Sequence, residues 1–589
     1  MKKIISLLIT AAIVILLPFQ TLQAWSSFRN EHGQGHANTI EAKTPISSDT
    51  AGIKWQIRFA ENGTTAYNSD PVITDTGLYV TCKDTLYQLD KNGAIHSFLT
   101  LAAPMNSVCR MCLHGNRLFI PLSGGRMQCV DISTMTTLWT SEAFGLQSLT
   151  TVYEKDGLIY AGTTNASGTE GIFYCLSAEN GRTQWTYTDT KETCGYYWSG
   201  AVSDSAANFI LFGGDNGILV SHSAKEDTIF DTYDLSDGTS QTDDPSAGPG
   251  KIRAGITYDT ETDAYYTTST NGYLYRIKMT SHGTFESVTA VSLFPSRTPD
   301  SNCTSTPTIV NGRIYVCSYS GIQGQIDVID AVTMNQIYTA SSPDCRDIKS
   351  SPLVCTGYNG DTDDDTGNGP LYVYFTQNAL PGGIYYIRDD MTAQSAEIEM
   401  LFAPQEGKQF CLSSIAADSD GTLYYSNDSG TLFAIQDGYR QTPGEPSPAP
   451  SVSPDAAPTA IPPSDPVIPK TETQPGQGHL AGGKVSKKTK KPGKPQNVKW
   501  KIKKAKGRSY RVTYTWKKGA HTAYTRIKIS KQNKKTSKKK KWSRVFQTSA
   551  VKKTITLKSG TYRVSFYGCQ KGTKKSGAVN HTLHIPSIH

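Results

Sequence analysis

Eight copies of one short apolar motif run through the first 440 residues, and no other feature limits the fold so tightly. Each copy is a turn residue followed by an alternating strand, usually Gly-x-(Leu/Ile/Met/Phe)-x-x-(Leu/Ile/Val). The first four read Asp84-Thr-Leu-Tyr-Gln-Leu89, Gly125-Arg-Met-Gln-Cys-Val130, Gly171-Ile-Phe-Tyr-Cys-Leu176 and Gly217-Ile-Leu-Val-Ser-His222. The next four read Gly272-Tyr-Leu-Tyr-Arg-Ile277, Gly324-Gln-Ile-Asp-Val-Ile329, Gly383-Ile-Tyr-Tyr-Ile387 and Gly430-Thr-Leu-Phe-Ala-Ile435. His222 replaces the apolar end of the fourth copy, and the seventh copy is shortened. Successive turn residues lie 41 to 59 residues apart. That period, with no helical periodicity inside it, predicts units of four short strands in an all-β array.

An earlier strand in several units begins at a tight turn, as at Thr76-Gly77, Asp156-Gly157, Asn311-Gly312 and Asp420-Gly421. Asn-Gly and Asp-Gly supply the positive φ angles of two-residue hairpins, so these strands pair with their predecessors. The predecessors open on small residues, as in Ser69-Asp-Pro-Val-Ile73, Ser305-Thr-Pro-Thr-Ile309 and Ser351-Pro-Leu-Val354. Small residues suit a crowded innermost strand.

Three segments carry a longer signature. They are Cys129-Val-Asp-Ile-Ser-Thr-Met-Thr-Thr-Leu-Trp139, Cys175-Leu-Ser-Ala-Glu-Asn-Gly-Arg-Thr-Gln-Trp185 and, more loosely, Val328-Ile-Asp-Ala-Val-Thr-Met-Asn-Gln-Ile-Tyr338. The pattern resembles the Ala-Leu-Asp-Ala-x-Thr-Gly-Lys-x-x-Trp signature of pyrroloquinoline-quinone (PQQ) repeats, over roughly residues 25–440. The resemblance implies an eight-bladed β-propeller in which the Asp-to-Gly turn joins third and fourth strands and the aromatic packs between blades. The eighth unit ends at Gly438 without an outer strand, while Lys54-Trp-Gln-Ile-Arg-Phe59 stands unassigned before the first. Pairing the two would close the ring and remove its open edge.

The N-terminus places the chain outside the cytoplasm. Lys2 and Lys3, the apolar run Ile4 to Leu17, Pro18 and the small Ala24 have the order of a secretory signal peptide over residues 1–24. Secretion with retention at the cell surface, as a monomer, is the expectation. Eleven of the twelve cysteines lie between Cys82 and Cys411, mostly inside apolar runs, and are expected as buried thiols acting as small hydrophobes. Cys109 and Cys112 would point to opposite faces of a strand, and no second pair completes a zinc site.

Charge divides the chain further. Residues 481–589 hold 32 Lys and Arg and no Asp or Glu, leaving 27 basic against 51 acidic residues elsewhere. Between the two lies a linker over residues 441–495, with 11 prolines from Gln441 to Pro475 and a Lys-Gly stretch after them. In the last domain, residues 496–589, Tyr510, Val512, Tyr514 and Trp516 alternate with polar residues, as expected of a small β-sandwich. Trp516 and Leu557-Lys-Ser-Gly-Thr-Tyr562 resemble the core Trp and tyrosine corner of fibronectin type III domains, with the spacing one residue short. Lys538, Lys539, Lys540 and Lys541 stand together on a loop as the candidate contact with an anionic cell-wall polymer or acidic glycan. Nucleic acid is the lesser candidate for an exported protein.

Candidate chemistry is sparse. The PQQ-repeat family includes quinoprotein dehydrogenases, which bind PQQ through calcium or a lanthanide with Glu, Asn and Asp ligands, a Trp platform and often a vicinal disulfide. This chain has no adjacent cysteine pair, and among the propeller tryptophans only Trp198 is left unexplained by position or signature. No matching ligand set accompanies it, so PQQ is not expected and the dehydrogenase is the alternative reading. Motifs for serine hydrolases, zinc proteases and phosphate-binding loops are missing too, and His32 with His36 lacks a third ligand. Tyr196, Tyr197 and Trp198 open the innermost strand of the fourth unit, where they would either stack on a glycan or protein ligand or fill the core. Asp361, Asp363 and Asp365 occupy positions 1, 3 and 5 of a Gly-containing loop without the Gly and Glu of an EF-hand. Calcium is the one cofactor left open. The resulting expectation is a non-enzymatic surface protein whose propeller binds a ligand or partner.

Overall fold

The computed structural model describes residues 25–28, 38–61, 65–190, 192–203, 209–235, 250–294, 296–358 and 369–440, and seven stretches between 494 and 585. The signal segment, His32, His36, the aspartates of residues 361–365, the Pro-rich segment and the lysines of residues 538–541 lie outside them. The chain divides into two compact units, Met1–Pro462 and Pro463–His589.

The first unit is a β-propeller, and its described residues form eight sheets. From inner to outer strand, blade 1 comprises Val72–Thr74, Gly77–Cys82, Thr85–Leu89 and Ile95–Thr100. Blade 2 follows with Cys112–His114, Arg117–Leu122, Arg126–Asp131 and Thr136–Thr140. Blade 3 has Tyr153–Lys155, Leu158–Gly162, Phe173–Ser177 and Thr183–Tyr187. Blade 4 keeps three strands, Phe209–Gly213, Ile218–Ser223 and Ile229–Asp234, with its inner position reduced to a bridge between Val202 and Leu211. Blade 5 is Thr257–Asp259, Ala264–Thr268, Tyr273–Met279 and Phe285–Ser292; blade 6 is Thr308–Val310, Arg313–Tyr319, Gly324–Asp330 and Gln336–Ser342. Blade 7 is Leu353–Cys355, Leu371–Thr376, Ile384–Asp389 and Glu399–Phe402, with Thr39–Ile40 added in parallel at its inner edge. Blade 8 is Ala416–Ala417, Leu423–Asn427 and Thr431–Asp437, completed by Ala51–Arg58.

Each recurring motif is the strand that lies third in its blade, or its equivalent in blade 4. The Asp156-Gly157 turn is a two-residue hairpin with both φ angles positive, 52° and 79°, joining Lys155 to Leu158. Strands in mid-blade are covered on both faces, so Leu371–Thr376 is buried at every position. The outer strand Ile95–Thr100 lies at the rim and alternates between exposed and half-buried.

Cores fill the gaps between neighbouring blades and close a cycle. Tyr79 and Leu86 meet Leu118 and Ile120 across blades 1 and 2, and Phe119 and Cys129 meet Ile159 and Tyr174 across blades 2 and 3. Tyr160 then packs with Phe212, Leu219 with Tyr275, Leu274 with Ile314, and Val328 with Val373. Tyr425 and Phe433 of blade 8 share one core with Tyr374 of blade 7 and with Leu78 and Val80 of blade 1. Burying such side chains contributes about 1.5–3 kcal/mol each. Cys109 and Cys112 enter different cores, one on each side of blade 2. All eleven described cysteines are buried and unpaired, and burial pushes the thiols of Cys109 and Cys112 up to about 12.

The signature tryptophans lock blade to blade. The indole of Trp139 in blade 2 donates to the Ala178 carbonyl of blade 3 at 3.2 Å, and Trp185 of blade 3 donates to Ala224 of blade 4 at 3.3 Å. A side chain at Gly181 would strike the Trp139 ring at 2.4 Å, which explains the glycine of the signature. Trp55, on the strand that completes blade 8, donates to the Lys91 carbonyl of blade 1 at 2.9 Å. The closing strand thus carries the same device as the interior blades.

In the second unit, Gln496–Lys504, Ser509–Lys517 and Lys552–Lys558 form one sheet. Ser543–Thr548, Tyr524–Lys531, Gly560–Cys569 and Val579–Ile585 form the other, in that order. Val512, Tyr514, Trp516, Ile527, Ile555 and Phe566 share its core.

Trp55→Ala should cost about 3–5 kcal/mol, as for other buried Trp truncations. Deleting residues 43–60 should expose the Thr431–Asp437 edge and produce aggregation. Denaturant melts of the isolated propeller check both, and a deletion that melts like the parent contradicts closure by this strand.

Candidate ligand site at the propeller axis

Two residues before the inner strands of blades 1, 2, 3, 6, 7 and 8 stand Asp70, Arg110, Thr151, Thr306, Ser351 and Ser414. Small hydroxyl side chains there bond to the backbone of the preceding blade. Thr306 Oγ1 accepts from the Gly255 amide at 2.8 Å, Ser351 Oγ from Thr306 at 2.9 Å, and Ser414 Oγ from Ser351 at 3.0 Å. These contacts satisfy amides that crowding at the axis shields from water. Asp70 continues the series by accepting from the Ser413 hydroxyl at 2.7 Å and from the Ser414 backbone.

The ring is then completed by charge. Arg110 Nε faces Asp70 Oδ2 at 3.5 Å, and Arg110 Nη1 donates to Thr151 Oγ1 at 3.4 Å and to the Trp198 carbonyl at 3.3 Å. Burial raises the Asp70 carboxyl and lowers the Arg110 guanidinium against their mutual attraction. Phe28 lies 3.7 Å from the guanidinium carbon, and Trp25 and Ser27 bridge to Ile73 and Cys112 at the far ends of the inner strands. The segment Trp25–Phe28 therefore packs along the inner strands of blades 1 and 2.

The mouth lies where the chain enters the inner strands, and the aromatic triplet divides there. Tyr196 is only 2% exposed and packs edge-on against Phe173 and Phe212, so it belongs to the core between blades 3 and 4. Tyr197 and Trp198 are half-buried, with ring centroids 5.0 Å apart and planes at 77°. They lie on irregular backbone ahead of the Val202 bridge. Arg253 covers the Tyr197 ring with its guanidinium carbon 4.1 Å from the centroid. Its Nε donates to the fully buried Asp215 at 3.0 Å, and Lys251 reaches the same carboxylate at 3.0 Å. Arg253 and Lys251 thus share one carboxylate.

Tyr67 and Asp428 complete the mouth, and neither stood out in the sequence. Tyr67 precedes the inner strand of blade 1, and its phenol is raised by burial, then by the charges of Asp428 and Tyr197. Asp428 sits in the turn after Leu423–Asn427, held there by the Ala66 amide on its carbonyl at 2.9 Å. Burial pushes its carboxyl up to about 7.

Residues 42–187 match a PQQ-repeat family model described as outer membrane protein assembly factor BamB. No curated protein matches the sequence. The fold resembles the quinohemoprotein alcohol dehydrogenase of Comamonas testosteroni, with TM-score 0.52 and 11% identity over 72% of this chain and 82% of that one. It also resembles quinohemoprotein alcohol dehydrogenase ADHIIG of Pseudomonas putida HK5, with TM-score 0.51 and 12% identity over 72% and 82%. The likeness is one of fold, a β-propeller, and the PQQ-repeat match is to residues 42–187. Among the described residues, no three His, Cys, Asp or Glu side chains converge. At the inner ring, Asp70 is engaged by Arg110 and Ser413.

The Asp428 carboxyl has a clear linkage sign. Its folded value near 7 lies above the unfolded value of about 3.9, so the folded state holds the extra proton between the two. Stability from this group falls as pH rises through that window. Asp428→Asn should therefore melt higher than wild type at pH 8, with the gap closing by pH 4. A pH-independent difference contradicts the assignment.

Proposed function

We propose that this chain is a secreted, non-enzymatic surface protein whose propeller binds a ligand at the axial mouth while its basic domain holds an anionic cell-envelope polymer. The mouth carries the reading. The half-buried, adjacent rings of Tyr197 and Trp198, with the buried Arg110 on the Trp198 carbonyl and against Phe28, support it. A protein or glycan ligand suits that lining.

The anchor reading rests on charge. Lys499, Lys501, Arg511, Lys517, Lys552 and Lys558 are exposed, and the strand register puts them on the outer face of the three-stranded sheet. Residues 481–589 contain no acidic residue to neutralise them. The strand order, the buried Trp516 and the Tyr562 hydroxyl on the Lys558 carbonyl at 2.9 Å support a fibronectin type III-like domain. The Pro-rich linker, at about 3.1 Å per residue, would keep the acidic propeller clear of an anionic surface.

Co-sedimentation with cell walls should weaken steeply with salt, as the Debye length falls from about 10 Å at 0.1 M to about 3 Å at 1 M. It should also fall after removal of the anionic polymers and when Lys538 to Lys541 are replaced by Ser. Retention indifferent to all three rejects the anchor. The names of the structural neighbours supply the competing reading, a PQQ-dependent dehydrogenase. Reconstitution with PQQ and calcium should give no dye reduction with alcohols or sugars, and clear turnover would put the dehydrogenase first. Calcium should bind weakly at Asp361, Asp363 and Asp365, so calorimetry should show a signal that Asp363→Ala abolishes. An identical signal from both proteins rejects the site.

A further inference from the structure

Gln496–Lys504 ends the strand order of one sheet of the second unit, and Val579–Ile585 ends that of the other. The two strands meet through their side chains. The Trp500 indole stacks on the His581 imidazole, with ring centroids 4.2 Å apart and planes at 10°. Trp500 stands directly opposite Tyr514 in the strand register, so it faces the core side of its sheet. Tyr514 and Phe566, both buried, lie 5.5 and 5.9 Å from the imidazole on the core side of the stack. A row of rings thus runs outward from the core, and its last member is left in water. Trp500 is 41% exposed and Ile502 38%, and among the described residues they are the only large apolar side chains of this unit so placed. The charge beside the indole is of one sign. Lys499 and Lys501, its neighbours in the strand, are exposed, and residues 481–589 contain no Asp or Glu to pair with them. His581 adds nothing to that charge, because its Nε2 is buried without a hydrogen-bond partner and burial holds the imidazole below its ordinary pKa. The imidazole backs the indole, and the lysines supply the cations.

We propose that Trp500 is a stacking platform for a sugar ring of an anionic polysaccharide, whose acid groups meet Lys499 and Lys501. This rests on the reading of the basic domain as an anchor, and it adds a subsite that recognises sugar to a surface that otherwise recognises charge. A pyranose ring has an apolar C–H face and a hydroxyl rim, so it covers an exposed indole while its rim stays hydrated. The long lysine stems bring their ammonium groups around the strand edge to carboxylates carried on the same chain of sugars. A polyanion without rings gains nothing from the indole. Nucleic-acid bases also stack on aromatic side chains beside cations. The export signal read in Lys2, Lys3 and the apolar run Ile4 to Leu17 favours the polysaccharide.

Calorimetry on the full chain with three polyanions of matched charge tests this: an oligogalacturonate, a linear polyphosphate and an oligothymidylate. At about 0.15 M salt the oligogalacturonate and the polyphosphate should both bind. Trp500→Ala should weaken the oligogalacturonate by about tenfold and leave the polyphosphate unchanged, which also shows that the variant domain is folded. Trp500→Tyr, which keeps a ring, should stay within about threefold of wild type for the oligogalacturonate. The wild-type protein gives a second reading without any substitution. Raising the salt to about 1 M should abolish polyphosphate binding while the oligogalacturonate retains a measurable affinity, because stacking is not screened. Equal losses for both probes in Trp500→Ala, or no loss for the oligogalacturonate, overturn the platform while the charge-based anchor stands. Oligothymidylate binding that is tighter than oligogalacturonate binding and depends on Trp500 overturns the polysaccharide assignment in favour of single-stranded nucleic acid. If the wild-type chain binds neither oligogalacturonate nor polyphosphate, the anchor and the platform fall together.

Discussion

Antiparallel pairing of Ala51–Arg58 with Thr431–Asp437 is the constraint on which the propeller depends. A blade in a ring has an apolar face on each side, and both are covered only when every neighbour is present. Opening the ring at one place uncovers the shared core of blades 7, 8 and 1 at once. The closing strand comes from before blade 1, so the last blade is built from both ends of the propeller segment. Trp55 ties that composite blade to blade 1 through the Lys91 carbonyl.

Closure also governs the axis. Once the blades are held radially, their inner strands crowd together, and large polar side chains have little room. Hydroxyls of Ser and Thr solve this on blades 6, 7 and 8 by bonding to the backbone of the previous blade. Asp70 and Arg110 depart from that pattern with an ion pair, and Phe28 packs against the guanidinium. The functional candidates Tyr197 and Trp198 lie where the chain enters the inner position of blade 4.

The two units have opposed electrostatic characters. The propeller segment is rich in carboxylates, several of them buried in specific networks such as Arg313–Asp389, whereas the sandwich presents basic side chains from its sheet faces. Buried pairs of the first kind resist screening and position the local structure. Exposed lysines of the second kind act collectively and are sensitive to salt. The proposed binding and anchoring roles would make different demands on charge, and the two units differ accordingly.

Local properties of the chain were legible from the sequence alone. The eight motif strands, the Asp156-Gly157 hairpin, the spare strand at Trp55 and the alternation through Val512, Tyr514 and Trp516 each follow from periodicity or turn chemistry within a few residues. The burial of the cysteines followed from their apolar neighbours in the same way. The site was legible only in part, because Tyr196 and Tyr197 are adjacent and chemically identical, and only the gap between blades 3 and 4 sends one ring into the core and the other to the mouth. Tyr67, Asp428 and Arg253 carry no local signal at all. The fold sets Arg253 on the Tyr197 ring and joins the segments of Tyr67 and Asp428, hundreds of positions apart, through the Ala66 amide. Periodicity determined which segments are strands; closure of the blades around an axis decided which side chains meet there.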